Sequence, residues 1–190
     1  MSGSSQLAKR NVKEVVRDPL SLGIALALPL ALLVTLQALG GDSAPFLTAT
    51  LLTPGIVLFG FVMVMFSSAM ILSRDRETAL LARLLTTPLR SREFVSGYSL
   101  PYVGLAIGQA AVLFGVGAVF GLEVDGSVAL VALVFALMAV FYVALGMILG
   151  STLTVAQTSG AYAAVLLLTI FGGAWFDLEE IGGVFLTIGD

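Results

Sequence analysis

Charged side chains that could bind a partner are concentrated in one stretch of this sequence, residues 73–97. Five of the nine basic residues lie there, Arg74, Arg76, Arg83, Arg90 and Arg92. By contrast, the tract from 126 to 176 carries no charge at all. The density of arginine in residues 73–97 therefore indicates that this stretch lies outside the membrane and contacts something there. We interpret the stretch as a docking element for a partner. The alternative is a solvated basic loop that only sets topology.

The residues around these arginines predict how they are positioned. Strong helix formers run without Gly or Pro from Asp75 to Leu85, which predicts a short amphipathic helix. Pro88 ends it, because proline lacks the donor that a continuing helix needs and disfavours helical backbone in the residue before it. Ser91 is the predicted N-cap of the next helix, with Glu93 in its first turn, where a negative charge suits the helix dipole.

Composition places the chain in a membrane and excludes most chemistry. Hydrophobic residues make up 58% of the sequence and charged residues 11%, and the mean hydropathy is +1.07. Soluble domains have about 45 to 50% apolar and about 25% charged residues. The sequence has no Cys and no His, which removes disulfides, thiol chemistry, imidazole bases and the common zinc ligands. It also has no G-x-x-x-x-G-K-[ST] loop, so we predict no catalytic or metal site and no ATP hydrolysis by that route.

The apolar tracts predict an all-α, polytopic membrane protein with five transmembrane helices. The first tract runs uncharged from Pro19 to Gly41, long enough to cross a hydrocarbon core of about 30 Å. The last uncharged tract suits two spans, with the bend marked by residues 150–152 and 157–160. The transmembrane domain is therefore 19–176, with spans at about 19–40, 54–73, 97–121, 127–149 and 159–176.

Residues 1–18 are predicted to contain an amphipathic helix in the membrane interface. Its cations at helical spacing would lie near anionic headgroups, and they are Lys9, Arg10, Lys13 and Arg17. The other interpretation is the charged start of a signal peptide. The apolar run that follows exceeds the roughly 7 to 15 residues of a signal core, which argues against it.

The distribution of charge predicts the orientation. One side carries all nine basic residues and five acidic ones, whereas the other carries no basic residue and seven acidic ones, including Asp42, Glu123 and Asp125. The positive-inside rule places the amino terminus and the loop 74–93 in the cytoplasm, and five spans leave residues 177–190 outside. We therefore expect a multi-pass protein of the cell (plasma) membrane.

The arginine-rich stretch resembles a known family. The first cytoplasmic loop of type-2 ABC transporter membrane subunits has the pattern D-R-E-x-G-T-L-x-x-L-L-x-T-P. It is matched here by Asp75, Arg76, Glu77, Leu81, Leu84, Leu85, Thr87 and Pro88. Ala79 and Leu80 depart from the pattern, since they stand where the family has Gly-Thr. The resemblance extends from about residue 7 to residue 185.

The resemblance implies a permease subunit of an ATP-driven exporter with a cytoplasmic coupling helix. Its partners would be a nucleotide-binding ATPase subunit that carries ATP and Mg, a second permease subunit, identical or different, and membrane lipids, but no nucleic acid. No cofactor would bind to this chain directly. The residues expected to couple to the ATPase are Arg74, Asp75, Arg76, Glu77, Arg83, Leu84, Thr87, Pro88 and Arg90.

Two other functions compete with this one. A small non-transport membrane protein, such as an assembly or immunity factor, could dock a cytoplasmic partner in the same way. A secondary carrier is disfavoured because no predicted span contains Asp, Glu, Lys, Arg or His. Residues 177–190 are predicted to be an external tail or the start of a re-entrant segment. By comparison with the family we expect the final, sixth helix to be missing from this chain.

Overall fold

The structure, a computed structural model, describes residues 9–13, 19–40, 48–78 and 90–171. Within these ranges it is helical apart from short connections and contains no strand. Residues 9–13 are helical, and five longer helices follow. They are α1 (Pro19–Gly40), α2 (Ala49–Glu77), α3 (Ser91–Val119), α4 (Val128–Thr152) and α5 (Val155–Phe171). The all-α prediction is confirmed.

Helix α2 is the centre of the bundle and contacts each of the other four helices. Its side chains are buried along most of its length, with Phe61, Val62 and Met65 at 1% exposure or less. The helices around it are apolar on their outer faces as well, and α4 exposes 62% of Leu137 and 59% of Phe141. A bundle that is apolar both inside and outside is suited to a lipid environment rather than to water.

Three of the described helices, α2, α3 and α4, are long and apolar enough to cross a membrane. The apolar parts of α1 and α5, Ala25–Leu39 and Val155–Thr169, are shorter. Helix length and composition therefore agree with the predicted polytopic membrane protein. The limits of the individual spans stay predictions.

The helix ends differ from the sequence expectation at the two ends of α2. The helix begins at Ala49, whereas the predicted span begins at about residue 54, and Pro54 lies in its second turn. At the other end α2 continues without a break to Glu77, and Thr78 has extended backbone. Residues 75–77 thus prolong the central helix and do not start a separate one, which corrects the helix predicted over 75–85. The rest of that predicted helix, residues 79–85, lies outside the described residues.

The connection between α4 and α5 is shorter than predicted. Leu153 has extended backbone directly after α4, and α5 starts at Val155. Residues 157–160, which the sequence suggested as part of the bend, lie inside α5. We call residues 153–154 the α4–α5 turn.

A proline inside α1 explains the most buried glutamine of the bundle. Pro29 has no N–H, so the carbonyl of Ala25, four residues earlier, loses its helical donor. The Gln109 side-chain Nε2 donates to that carbonyl at 3.0 Å and is 3% exposed. Gly60 of α2 leaves the space for the amide, because a Cβ there would collide with Gln109. Gln109 thus joins α3 to α1.

Glycines fix the closest helix contact, between α2 and α4. A Cβ on Gly146 would collide with Ser68, and one on Gly150 would lie 2.9 Å from Ala69 Cα. This GxxxG pair therefore packs within the subunit, as expected of small residues in membrane helices. The pair Gly104 and Gly108 on α3 is different, since nothing lies within 4 Å of a Cβ at either position.

We predict that Gln109→Leu destabilises the bundle by about 1 to 3 kcal/mol, because it leaves the Ala25 carbonyl without a donor in an apolar environment. In a Pro29→Ala background the restored N–H of residue 29 should satisfy that carbonyl, so the same substitution should cost less. Unfolding in mixed micelles titrated with denaturing detergent measures both. Equal costs in the two backgrounds would contradict this explanation.

Candidate functional site

Three consecutive residues at the end of α2 contact four different parts of the protein. Side chains one residue apart on a helix point about 100° apart, so a central helix can reach several neighbours from one turn. Asp75 faces residues 9–13 and α3, Arg76 faces the end of α4, and Glu77 faces the start of α5. We call these three residues the α2 hub.

Asp75 is a buried carboxylate with charged and neutral donors. Arg10 binds it with both terminal nitrogens, at 3.0 Å to Oδ2 and 3.2 Å to Oδ1. The Tyr98 hydroxyl of α3 donates to Oδ2 at 2.5 Å. The Asp75 side chain is 8% exposed and that of Arg10 34%. A two-point guanidinium contact is the geometry that best offsets the cost of burying a carboxylate.

Residues 9–13 are also attached to α3 through a backbone group that a proline sets free. Pro101 lies inside α3 and cannot donate to the carbonyl of Gly97, four residues earlier. The buried Asn11 side chain donates its Nδ2 to that carbonyl at 3.0 Å. Arg10 and Asn11 together therefore fix the amino-terminal segment to both α2 and α3.

Arg76 satisfies the carbonyl end of α4. Its Nη1 donates to the carbonyl oxygens of Gly150 at 3.1 Å and Leu153 at 3.2 Å. Ser73, one turn earlier on α2, lies within 3.4 Å of the same two oxygens and has its Oγ 2.9 Å from Thr158 Oγ1 of α5. A cation at the carboxyl end of a helix also complements the helix dipole.

Glu77 caps the amino end of α5. Its Oε1 accepts from the backbone N–H of Val155, the first residue of that helix, at 2.8 Å. Two neighbouring N–H groups are satisfied locally, since Thr154 N–H donates to Gln157 Oε1 at 3.0 Å and Gln157 N–H donates to Thr154 Oγ1 at 3.3 Å. This reciprocal pair is a capping box, and a carboxylate beside it suits the positive end of the dipole.

The start of α3 is capped one residue earlier than predicted. Arg90, not Ser91, is the N-cap, and Glu93 Oε2 accepts from its backbone N–H at 3.1 Å. The prediction that Glu93 lies in the first turn is correct. Since an arginine side chain has no acceptor, the contribution of Arg90 to the cap is its backbone alone.

An apolar groove of about 550 Å³ separates α1 from α3. Its lining includes Gly23, Leu26, Leu30, Gly104 and Gly108, with Gln109 as the polar member. The groove has no charged side chain among its lining residues, so it does not indicate a charged solute. In the described part of the chain no group of three His, Cys, Asp or Glu is placed to hold a metal ion.

Comparison with known proteins gives one result. A family model described as ABC-2 type transporter matches residues 4–188 of the 190-residue chain. The chain belongs to the ABC-2 type transporter family. No curated protein and no solved structure matches it. The protein is thus a membrane-embedded permease subunit of an ABC transporter, as the resemblance of the D-R-E and T-P residues predicted.

The structure divides the predicted coupling residues of the permease into three groups. Arg74 and Arg90 are exposed, whereas the α2 hub makes contacts within the subunit, through Asp75, which is buried, and through Arg76 and Glu77, which are exposed as well. The remaining predicted coupling residues, Arg83, Leu84, Thr87 and Pro88, lie outside the described residues. Among the predicted interfacial cations Lys9 and Lys13 are exposed, Arg10 is bound to Asp75, and Arg17 lies outside the described residues.

Sequence reasoning missed the internal partners of the permease hub. Tyr98, Gly150, Leu153 and Val155 contact the hub itself, and Asn11, Ser73 and Thr158 bind the elements around it. Two signals could have found some of them. A proline four residues after Gly97 predicts a free carbonyl there, and the T-x-x-Q at Thr154 predicts a capping box, hence a helix start.

We predict that Arg10→Gln destabilises the permease by about 3 kcal/mol, because it leaves the Asp75 carboxylate buried without a cation. Lys9→Gln is the matched control, since Lys9 is exposed and adjacent in sequence. It should change stability by less than about 0.5 kcal/mol. Detergent unfolding of both variants measures the difference, and equal effects would show that the ion pair does not stabilise the fold.

Proposed function

We propose that this permease couples ATP hydrolysis by a separate cytoplasmic ATPase subunit to export across the cell membrane. The observation that supports the proposal best is the α2 hub. It stands directly before residues 79–89, the segment that resembles the coupling helix of the family, and it contacts residues 9–13, α3, α4 and α5. A displacement of that segment by the ATPase would therefore act on a single turn of α2 that contacts four other parts of the subunit.

The exposed arginines define where we expect the ATPase to bind. Arg74 precedes residues 79–89 and Arg90 follows them, and Arg92 is exposed close by. Arg76 and Glu77 already hold backbone groups of α4 and α5, so binding an ATPase through them would first break those bonds. We propose that Arg74 and Arg90, together with Arg83, Leu84, Thr87 and Pro88, form the docking surface.

The charges at the two ends of α2 support a cytoplasmic position for the hub. Glu123 N–H donates to Thr50 Oγ1 at 3.1 Å, which places the α3–α4 connection at the start of α2. The hub lies at the other end of this 29-residue helix, about 40 Å away at 1.5 Å per residue. Exposed acidic residues, Glu123 and Asp125, mark the start, and exposed cations mark the hub end. The positive-inside rule then puts the hub in the cytoplasm.

The rest of the machine follows from the family. ATP and Mg would bind to the ATPase subunit, and a second permease subunit would complete the path through the membrane. The groove between α1 and α3 and the apolar outer faces of the helices favour an apolar or amphipathic substrate over a charged one.

We predict that Arg74→Glu combined with Arg90→Glu abolishes co-purification of the ATPase subunit, because two exposed cations of the docking surface become acidic. The variant should insert into the membrane like the parent, and its free energy of unfolding should stay within about 0.5 kcal/mol of the parental value. The control is Glu123→Lys with Asp125→Lys, which reverses two exposed charges at the opposite end and should leave co-purification unchanged. If the arginine variant retains its ATPase and stimulates ATP hydrolysis normally, the proposed docking surface is wrong.

A further inference from the structure

We infer that Arg76 and Glu77 are positioning residues that make the α4–α5 turn move as one rigid body with the end of α2. The inference deepens the proposed function, since it names the route by which a displacement of residues 79–89 would reach the last two helices. It depends on contacts within this subunit, so part of it can be tested without the ATPase.

The first argument is that, among the described residues, the side-chain donors to the free carbonyls of Gly150 and Leu153 all come from α2 and are Arg76 and Ser73. In a continuous helix the Gly150 carbonyl would accept from the N–H of Thr154, and the Leu153 carbonyl from that of Gln157. Both N–H groups are committed to the capping box instead. Arg76 supplies the missing charged donor to both oxygens. Ser73 has a single hydroxyl proton, so release of Arg76 would leave at least one of the two carbonyls without a donor at the edge of an apolar environment.

The second argument is that opposite charges hold opposite helix ends. The Arg76 cation sits at the negative end of the α4 dipole, and the Glu77 carboxylate sits at the positive end of the α5 dipole. Each side chain would lose a favourable interaction if it moved to the other helix. The adjacent pair therefore holds the end of α4 and the start of α5 each in its own position on α2.

The third argument is that the contact is continuous along α2. Gly150 of α4 packs on the backbone of Ala69, two turns before Arg76. Ser73 lies between these positions and touches both α4 and Thr158 of α5. Gly150 packs closely on the α2 backbone at Ala69, and Arg76 and Glu77 form charge-assisted hydrogen bonds two turns further along α2. Contacts at both levels oppose sliding of the α4–α5 turn relative to α2.

The branch toward α3 works through a different group. Asp75 holds Arg10 and Tyr98 and makes no contact with the α4–α5 turn in the described structure. Loss of Arg76 and Glu77 should thus free α4 and α5 while α3 and the amino-terminal segment stay attached to α2.

A pair of engineered cysteines tests the inference in the full chain. The chain contains no native Cys, and Ser73 Oγ lies 2.9 Å from Thr158 Oγ1. Ser73→Cys with Thr158→Cys should therefore form a disulfide rapidly when membrane vesicles are treated with a mild oxidant. Adding Arg76→Ala and Glu77→Ala should slow the cross-link by about tenfold, as expected when charge-assisted hydrogen bonds are lost.

Two controls separate positioning from general stability. Glu93→Ala removes an exposed capping carboxylate of α3 at the same end of the bundle, and it should leave the cross-linking rate at the parental value. Glu77→Gln keeps an acceptor for the Val155 N–H, so it should cross-link close to the parental rate when Arg76 is intact. Parental cross-linking in the double alanine variant would overturn the inference, as would equal slowing by Glu93→Ala.

The complex with the ATPase subunit provides the second readout. If the turn never leaves α2 during the cycle, the disulfide should leave permease-stimulated ATP hydrolysis within about twofold of the reduced protein. Loss of stimulation on oxidation, restored by a reductant, would show that the contact opens and would overturn the inference. Failure of any ATPase to co-purify would instead overturn the proposed function, while the cross-linking rates would still decide the role of Arg76 and Glu77.

Discussion

Backbone polar groups released at helix breaks and helix ends must find partners in an apolar environment, and the rest of this structure depends on how they do so. Proline frees the Ala25 carbonyl in α1 and the Gly97 carbonyl in α3, and side-chain amides from other elements take both. The α4–α5 turn leaves both carbonyl and N–H groups without helical partners. On α2, Arg76 donates to the Gly150 carbonyl and Glu77 accepts from the Val155 N–H. The polar side chains of the bundle thus join helices to one another at the points where their own hydrogen bonding stops.

This constraint gives the D-R-E residues, which carried the resemblance to the family, a role inside the subunit. The D-R-E residues were expected to face a partner, but each of their charged side chains contacts a different part of the same subunit. In the proposed function the ATPase acts on residues 79–89, and these three residues would attach that segment to the rest of the subunit. The exposed arginines on either side of residues 79–89 remain available for the partner itself.

Much of the fold could be predicted from the sequence because burial in lipid leaves few alternatives. Apolar tracts without charge predict helices, and the five tracts found in the sequence correspond to α1 to α5. The helix ends were harder, since α2 ends at Glu77, whereas local propensity had placed the end of a separate helix at Leu85. Propensity is a weak guide where three consecutive side chains each have a partner elsewhere.

The candidate site was predicted only in part, for a physical reason. Charge density in the sequence locates Arg74 to Glu77, but it does not distinguish a side chain that binds a carbonyl oxygen of another helix from one that faces solvent. Carbonyl partners such as Gly150 carry no side-chain signal of their own. Pro101 does give a signal, because a proline in a helix predicts a free carbonyl four residues earlier. Asn11 donates to that carbonyl, which belongs to Gly97.

The most direct test of this account is an experimental structure of the permease bound to its ATPase subunit. The account predicts that the Arg76 guanidinium stays on the Gly150 and Leu153 carbonyls and the Glu77 carboxylate stays on the Val155 N–H, while the ATPase contacts the exposed Arg74 and Arg90. A structure in which Arg76 and Glu77 leave α4 and α5 to bind the ATPase, with the α4–α5 turn separated from α2, would contradict it.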